Sequence, residues 1–230
     1  MNVPVYVALD FSDRTKMERL IEMLGDTATH YKIGLEAYLA FGNAFVEQLI
    51  AKGKTIFLDL KFHDIPNTVA NAVANAAQMG VSLMTVHALG GEAMVRSAVD
   101  AAMRHGQERT GILAVTYLTS HDQETLPLLN QRNVSMSLQI DELANLAKRA
   151  HAHGVVASAH ELVMIKEKHP SLHVLVPGIR PEGFALQDQA RVATPKQAVL
   201  AGADYLVVGR PITQAQDPLA VLKMITAACQ

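Results

Sequence analysis

Apolar residues along this chain fall into short runs separated by longer stretches with helical spacing. The runs Val3–Leu9, Tyr31–Leu35, Thr55–Leu60, Leu83–His87, Ile112–Tyr117, Gly154–Ala157, His173–Val176 and Tyr205–Val208 predict eight strands: each is short, partly β-branched and bounded by Gly, Asp or Pro. Arg14–Leu24 places Met17, Leu20, Ile21 and Leu24 on one helical face. Ala37–Ala51, with Phe41, Phe45 and Ile50, and Thr68–Met79, with Val69 and Val73 four apart, follow the same rule. Glu92–Met103, Ile140–Ala152, Glu161–Lys168, Pro195–Ala201 and Pro218–Ala228 complete eight predicted helices. Ser12, Asp13, Asp141 and Asp217 stand near helix starts, where a side-chain oxygen caps free N–H groups. Gly25, Gly53, Gly80, Gly106, Gly154 and Gly202 stand after helices, where a left-handed residue is expected.

This alternation predicts a TIM (β/α)8 barrel, one domain spanning residues 1–230. An open doubly wound sheet is the alternative, but no Gly-x-Gly-x-x-Gly follows the first strand, which weakens a dinucleotide-binding reading. Two irregular segments, Thr119–Ser137 and Pro177–Gln189, follow the fifth and seventh strands, where barrel enzymes keep their sites.

Composition narrows the function classes. Of 230 residues, 50% are hydrophobic and 18% charged, which fits a folded globule with a sizeable core. Twenty Lys+Arg against 22 Asp+Glu leaves a net charge of −2, so no excess positive field favours nucleic acid or a membrane surface. The one cysteine, Cys229, excludes an internal disulfide framework. The N-terminus lacks the basic region of a signal peptide, and no apolar run reaches the ~18 residues of a membrane span. A soluble, cytoplasmic protein is expected.

Charge then turns up where core residues belong. In Ile56-Phe57-Leu58-Asp59-Leu60-Lys61, residues two apart share a face, so Phe57, Asp59 and Lys61 aim at the barrel mouth while Leu58 and Leu60 face the helices. Asp64 lies three residues on, and Pro66 stops the ladder. Buried ions are costly unless paired, so this cluster is either a structural network closing the barrel top or a site. Asp10 closes the first strand, and Lys32 sits in the second where an apolar residue would be routine. Together Asp10, Lys32, Asp59 and Lys61 alternate in sign over three successive strands, each carboxylate favouring a protonated lysine. A metal site drawn from Asp59, Asp64, His63 and His87 is the rival reading; with two ammonium groups among these residues, no metal is expected. His30, His105, His121, His151, His153, His160, His169 and His173 read as scattered surface or helix-end residues, with His151 and His153 two apart on a helix.

A second constellation is C-terminal. Val208-Gly209-Arg210-Pro211-Ile212 ends the eighth strand in a tight turn, where Gly209 lets backbone approach a ligand and Arg210 offers a forked donor to phosphate. Val176-Pro177-Gly178-Ile179-Arg180-Pro181 ends the seventh strand with a second arginine, and loops seven and eight are the usual phosphate pocket of such barrels.

Asp59-Leu60-Lys61-Phe62-His63-Asp64-Ile65-Pro66-Asn67-Thr68 resembles the Asp-x-Lys-x-x-Asp-Ile-x-x-Thr signature of the orotidine 5′-phosphate decarboxylase family, bacterial type. The resemblance extends to Val7-Ala8-Leu9-Asp10, Lys32, Val115-Thr116-Tyr117-Leu118-Thr119-Ser120, the Arg180 loop and the Gly209-Arg210 turn. It implies conversion of orotidine 5′-phosphate to UMP and CO2 in pyrimidine synthesis, without metal or organic cofactor. It further implies Lys61 as proton donor to C6, Asp59 against the substrate carboxylate, and Lys32 and Asp10 at the ribose hydroxyls. Asp64, Ile65 and Thr68 would reach into a neighbouring subunit's site, which implies a homodimer. Thr119 and Ser120 would lie near the base, and Pro177, Arg180, Gln189, Gly209 and Arg210 at the phosphate end. Gln187 departs from the Gly that many relatives carry two residues before the glutamine. Magnesium-dependent sugar-phosphate decarboxylases and aldolases share the shorter Asp-x-Lys-x-x-Asp and form one alternative; a non-catalytic nucleotide-phosphate binder is the other.

Overall fold

The computed structural model describes residues 3–106, 110–121, 135–182 and 193–230. Eight parallel strands close in chain order into a barrel: β1 Val5–Ala8, β2 His30–Gly34, β3 Thr55–Phe62, β4 Leu83–His87, β5 Gly111–Val115, β6 Gly154–Val156, β7 His173–Val176 and β8 Tyr205–Val208. β8 returns to β1 with Val7 opposite Val208. Around them lie α1 Arg14–Leu24, α2 Leu35–Ala51, α3 Pro66–Gln78, α4 Glu92–His105, α5 Met136–Arg149, α6 Ala159–Lys168, α7 Pro195–Leu200, the single turn α8 Arg210–Thr213, and α9 Pro218–Ala227.

Strand alternation separates two cores. Outward residues such as Val5, Val7, Ile56 and Leu58 pack under the helices, and Leu60 leans on the same layer. Inward residues Tyr6, Ala8, Phe57, Leu83, Leu113, Leu175 and Val207 fill the lumen, so the barrel is packed rather than hollow. That fill ends below Asp59, and the strand C-termini are left for polar groups.

Several local expectations are corrected. Asp13, not Ser12, caps α1 through the Lys16 amide. Asp217 caps α9 as expected. Ser135 caps α5, which begins four residues earlier than the apolar spacing indicates; Asp141 lies inside that helix and accepts from Lys168 Nζ at 2.7 Å and His169 Nε2 at 2.8 Å. Gly25, Gly53, Gly80 and Gly202 take positive φ, but Gly106 does not (φ −70°). Gly154 belongs to β6, where a Cβ would lie 2.1 Å from the His173 carbonyl oxygen, so close strand approach requires it.

The histidines differ most. α5 ends at Arg149, so His151 and His153 are not helical. His153 stacks on His173 at 4.3 Å and meets the Tyr205 hydroxyl at 2.9 Å, while His30 packs edge-on to Tyr6. These rings sit at strand starts and plug the barrel end opposite the site. Burial, with His173 adding to it, pushes His153 down to about 4 and keeps it neutral. His169 is buried against Asp141 rather than exposed.

Candidate active site

The strand C-termini surround a cavity of about 550 Å³. Asp10, Lys32, Asp59, Lys61, Thr119, Ser120, Pro177, Arg180, Gly209 and Arg210 all line it. Phe57, Leu175 and Val207 of the lumen fill form its floor, and Tyr117, whose hydroxyl donates to Gln139 Oε1, forms part of its wall.

Four ionisable groups make a continuous chain across β1, β2 and β3. Lys32 Nζ donates to Asp10 Oδ1 at 2.7 Å and lies 3.8 Å from Asp59 Oδ2; Lys61 Nζ donates to the same Asp59 oxygen at 2.8 Å. Lys32 is buried, whereas Asp10 at the rim has a side chain 51% exposed. The tightest coupling is therefore around Asp59, whose side chain is only 12% exposed. Burial pushes the Asp59 carboxyl up. The Lys61 and Lys32 charges, with hydrogen bonds from Lys61 and Thr85, outweigh that and hold it below the usual carboxylate range.

Two backbone features place this chain, and neither is visible in the strand's alternation. The ladder between β3 and β4 slips: Leu58 opposes Met84, yet Phe62 opposes Val86. Lys61 sits in that bulge with φ 51°, and its amide donates to Thr85 Oγ1 at 2.9 Å. Thr85 Oγ1 in turn donates to Asp59 Oδ1 at 2.9 Å. Gly34, at the end of β2, is the second feature. A Cβ there would stand 2.9 Å from Lys32 Nζ and 3.1 Å from Asp10 Oδ1, so the pair occupies the space a side chain would take.

The opposite wall is cationic. Arg180 is buried, donates from Nη1 to the Ile179 carbonyl, and has no partner for Nε among the described residues. Burial and the nearby Arg210 charge both press its pKa down. Gly209 precedes Arg210 at the N-terminus of α8, across from Ala8. Two guanidinium groups with an unfilled donor make an anion subsite.

Three expected residues lie elsewhere. Asp64, Ile65 and Thr68 are exposed at the start of α3, outside this cavity; Asp64 Oδ1 accepts from the Ile65 amide and the Ile65 side chain faces solvent. Gln189 and Gln187 lie outside the described residues, as does most of the two irregular segments. The metal reading gains no geometry: His63 and His87 rings stand 5.5 Å apart, and among the described residues no three His, Cys, Asp or Glu side chains converge. His87 is pushed down by burial, then by the charges of His63 and Lys61. No helix of the described residues is long and apolar enough to cross a membrane.

Fold and cavity together define a (β/α)8 barrel with a carboxylate–ammonium chain facing an arginine pair at its strand C-termini. Residues 4–225 match the Orotidine 5'-phosphate decarboxylase / HUMPS family, and the chain belongs to it. It is 46% identical over 231 residues to the orotidine 5'-phosphate decarboxylase of Saccharophagus degradans, covering 99% of this chain and 96% of that one. Identity to the Shewanella sediminis protein of the same name is 45% over 225 residues, covering 97% and 96%. Among solved structures, orotidine 5'-phosphate decarboxylase from Lactobacillus acidophilus matches with a TM-score of 0.89 at 36% identity, covering 99% of each chain.

Proposed function

We propose that this chain, as one domain over residues 1–230, decarboxylates orotidine 5′-phosphate to UMP and CO2 in de novo pyrimidine synthesis, in the cytoplasm and without a metal or organic cofactor. The observation that carries the reading is the Lys61 ammonium, held 2.8 Å from an ionised Asp59 in a cavity whose far wall presents Arg180 and Arg210. Arg180, Arg210, Gly209 and Gln189 grip the phosphate, with Pro177 shaping that end. Thr119 and Ser120 flank the base, and Lys32 and Asp10 hold the ribose hydroxyls. The C6–carboxylate bond breaks with its electron pair left on C6, CO2 departs, and C6 takes a proton from Lys61 Nζ. Asp64, Ile65 and Thr68, on the outer surface of their own barrel, complete the site of a second copy in a homodimer.

Magnitudes decide which effect dominates. Repulsion between Asp59 and the substrate carboxylate is ~4 kcal/mol at ~4 Å with an effective dielectric of ~20. That supplies roughly 10³ in rate, since ~1.4 kcal/mol is tenfold. A ring carbanion without an adjacent electron sink needs more. The larger share falls to the preorganised Lys61 ammonium, whose attraction grows as charge develops at C6. Binding energy from the remote phosphate contacts is spent on the chemical step.

The test is orotidine 5′-phosphate with excess chelator, followed by ultraviolet absorbance. Turnover is expected. Turnover only after Mg²⁺ is restored would assign the chain to the metal-dependent branch, and tight UMP binding without turnover would make it a binder.

A further inference from the structure

We propose that Thr85 is a positioning residue for this reaction: its buried hydroxyl ties the Asp59 carboxylate to the Lys61 backbone amide and thereby sets where the Lys61 ammonium stands. The inference rests on the decarboxylase reading above and adds a residue that never touches substrate. Thr85 is 0% exposed and is not among the residues lining the cavity. It sits on β4 two residues beyond Leu83 of the lumen fill, so its side chain points inward beneath the charged chain.

The chemistry of the hydroxyl fixes the direction of both bonds. An ionised carboxylate only accepts, so the single Thr85 hydrogen goes to Asp59 Oδ1, and the lone pairs on Oγ1 are left to accept from the Lys61 amide. Asp59 Oδ2 is held at the same time by Lys61 Nζ. The result is a closed ring: Lys61 amide to Thr85, Thr85 to Asp59, Asp59 back to the Lys61 ammonium. The ring spans the place where the β3–β4 ladder fails. From Leu58 to Phe62 the third strand advances four residues while the fourth advances two, from Met84 to Val86, so the intervening β3 groups lose their regular partners. Thr85 supplies the missing acceptor for Lys61, a non-glycine residue at φ 51° that needs such support. A threonine that only filled the core would not need both hydrogen bonds, nor this place opposite the bulge.

Thr85→Val keeps the shape and removes the hydroxyl; Thr85→Ser keeps the hydroxyl. With orotidine 5′-phosphate as substrate, Thr85→Val is expected to lower kcat at least ~10-fold, with KM and UMP affinity within ~3-fold of wild type. The Asp59 carboxyl titration, followed by ¹³C NMR, is expected to move up in the valine variant, because a hydrogen bond to the ionised carboxylate is lost. Thr85→Ser is expected to recover kcat to within ~3-fold of wild type. Thr85→Ala carries the same expectations if the valine variant does not fold. An unchanged kcat and Asp59 titration, a loss confined to KM, or a serine variant as impaired as valine would overturn the inference while the decarboxylase reading stands. Wild-type protein that leaves orotidine 5′-phosphate untouched overturns that reading and this inference with it.

Discussion

Gly34→Ala is the sharpest test of the charged chain, because it adds one methyl group and removes nothing. The new Cβ would lie 2.9 Å from Lys32 Nζ and 3.1 Å from Asp10 Oδ1, against a comfortable separation of roughly 3.5 Å or more. Backbone strain is not the issue, since Gly34 has φ −97° and ψ −174°, which alanine adopts freely. The flexible lysine tip therefore yields first and the 2.7 Å Lys32–Asp10 pair opens. At an effective dielectric of ~20, stretching it by ~1 Å loses roughly 1.5 kcal/mol of Coulomb energy. Half-exposed Asp10 makes this an upper figure for stability. A less mobile unfolded chain offsets it by ~0.4–1 kcal/mol, so the melting temperature should shift by no more than a few degrees. Catalysis should suffer more, because a ~1 Å displacement of a positioned group costs up to ~10²-fold. We expect kcat/KM for orotidine 5′-phosphate to fall about 10- to 100-fold in a continuous absorbance assay. Wild-type kcat/KM in a folded Gly34→Ala protein, or an intact 2.7 Å pair in its crystal structure, would refute the reasoning.

Four further outcomes are expected. Lys61→Ala should lower kcat by at least ~10³ while UMP still binds, measured by single-turnover kinetics and calorimetry; substantial turnover would remove the proton donor. Arg210→Ala should cost the whole nucleotide at least ~10²-fold in kcat/KM and leave a phosphate-free analogue nearly unchanged; equal losses on both would oppose remote use of phosphate binding energy. Because Asp59 is held below the usual range, its contribution to stability is present above the unfolded value of ~3.9 and is lost only as pH falls through the lower folded value. A ¹³C titration midpoint at or above ~3.9 would contradict that. Finally, equal mixtures of Asp59→Ala and Asp64→Ala subunits should regenerate about a quarter of wild-type sites, and no recovery despite confirmed exchange would rule out sites shared between copies.

How much of this is legible in the sequence differs by feature. The strands Leu83–His87, His173–Val176 and Tyr205–Val208 and the helix Arg14–Leu24 coincide with their predicted bounds, because hydrophobic period and flanking breakers are local properties. For α5 the apolar spacing predicts a start only at Ile140, because the first turn carries no clean apolar stripe and the cap, Ser135, lies six residues before Asp141. Asp59 and Lys61 stand out as charges on an apolar strand. Thr85 and Gly34 do not, since a threonine in a strand and a glycine at a strand end are ordinary. Their meaning appears only once β4 lies against the bulge and Asp10 lies beside Lys32. The ring plug of His153, His173 and Tyr205 joins three distant strand starts and leaves no mark on any one segment.

Amino-acid order alone carries the barrel, the four alternating charges and the two arginine turns, because each is written within a few neighbouring residues. Closure of the barrel decides the rest: which oxygen of Asp59 meets which donor, that Asp10 and Lys32 pair over Gly34, and that Asp64, Ile65 and Thr68 face away from their own cavity. The contacts behind them join Asp10 to Lys32, Lys32 to Asp59 and Asp59 to Thr85, which are 22 to 27 residues apart, and only packing brings them together.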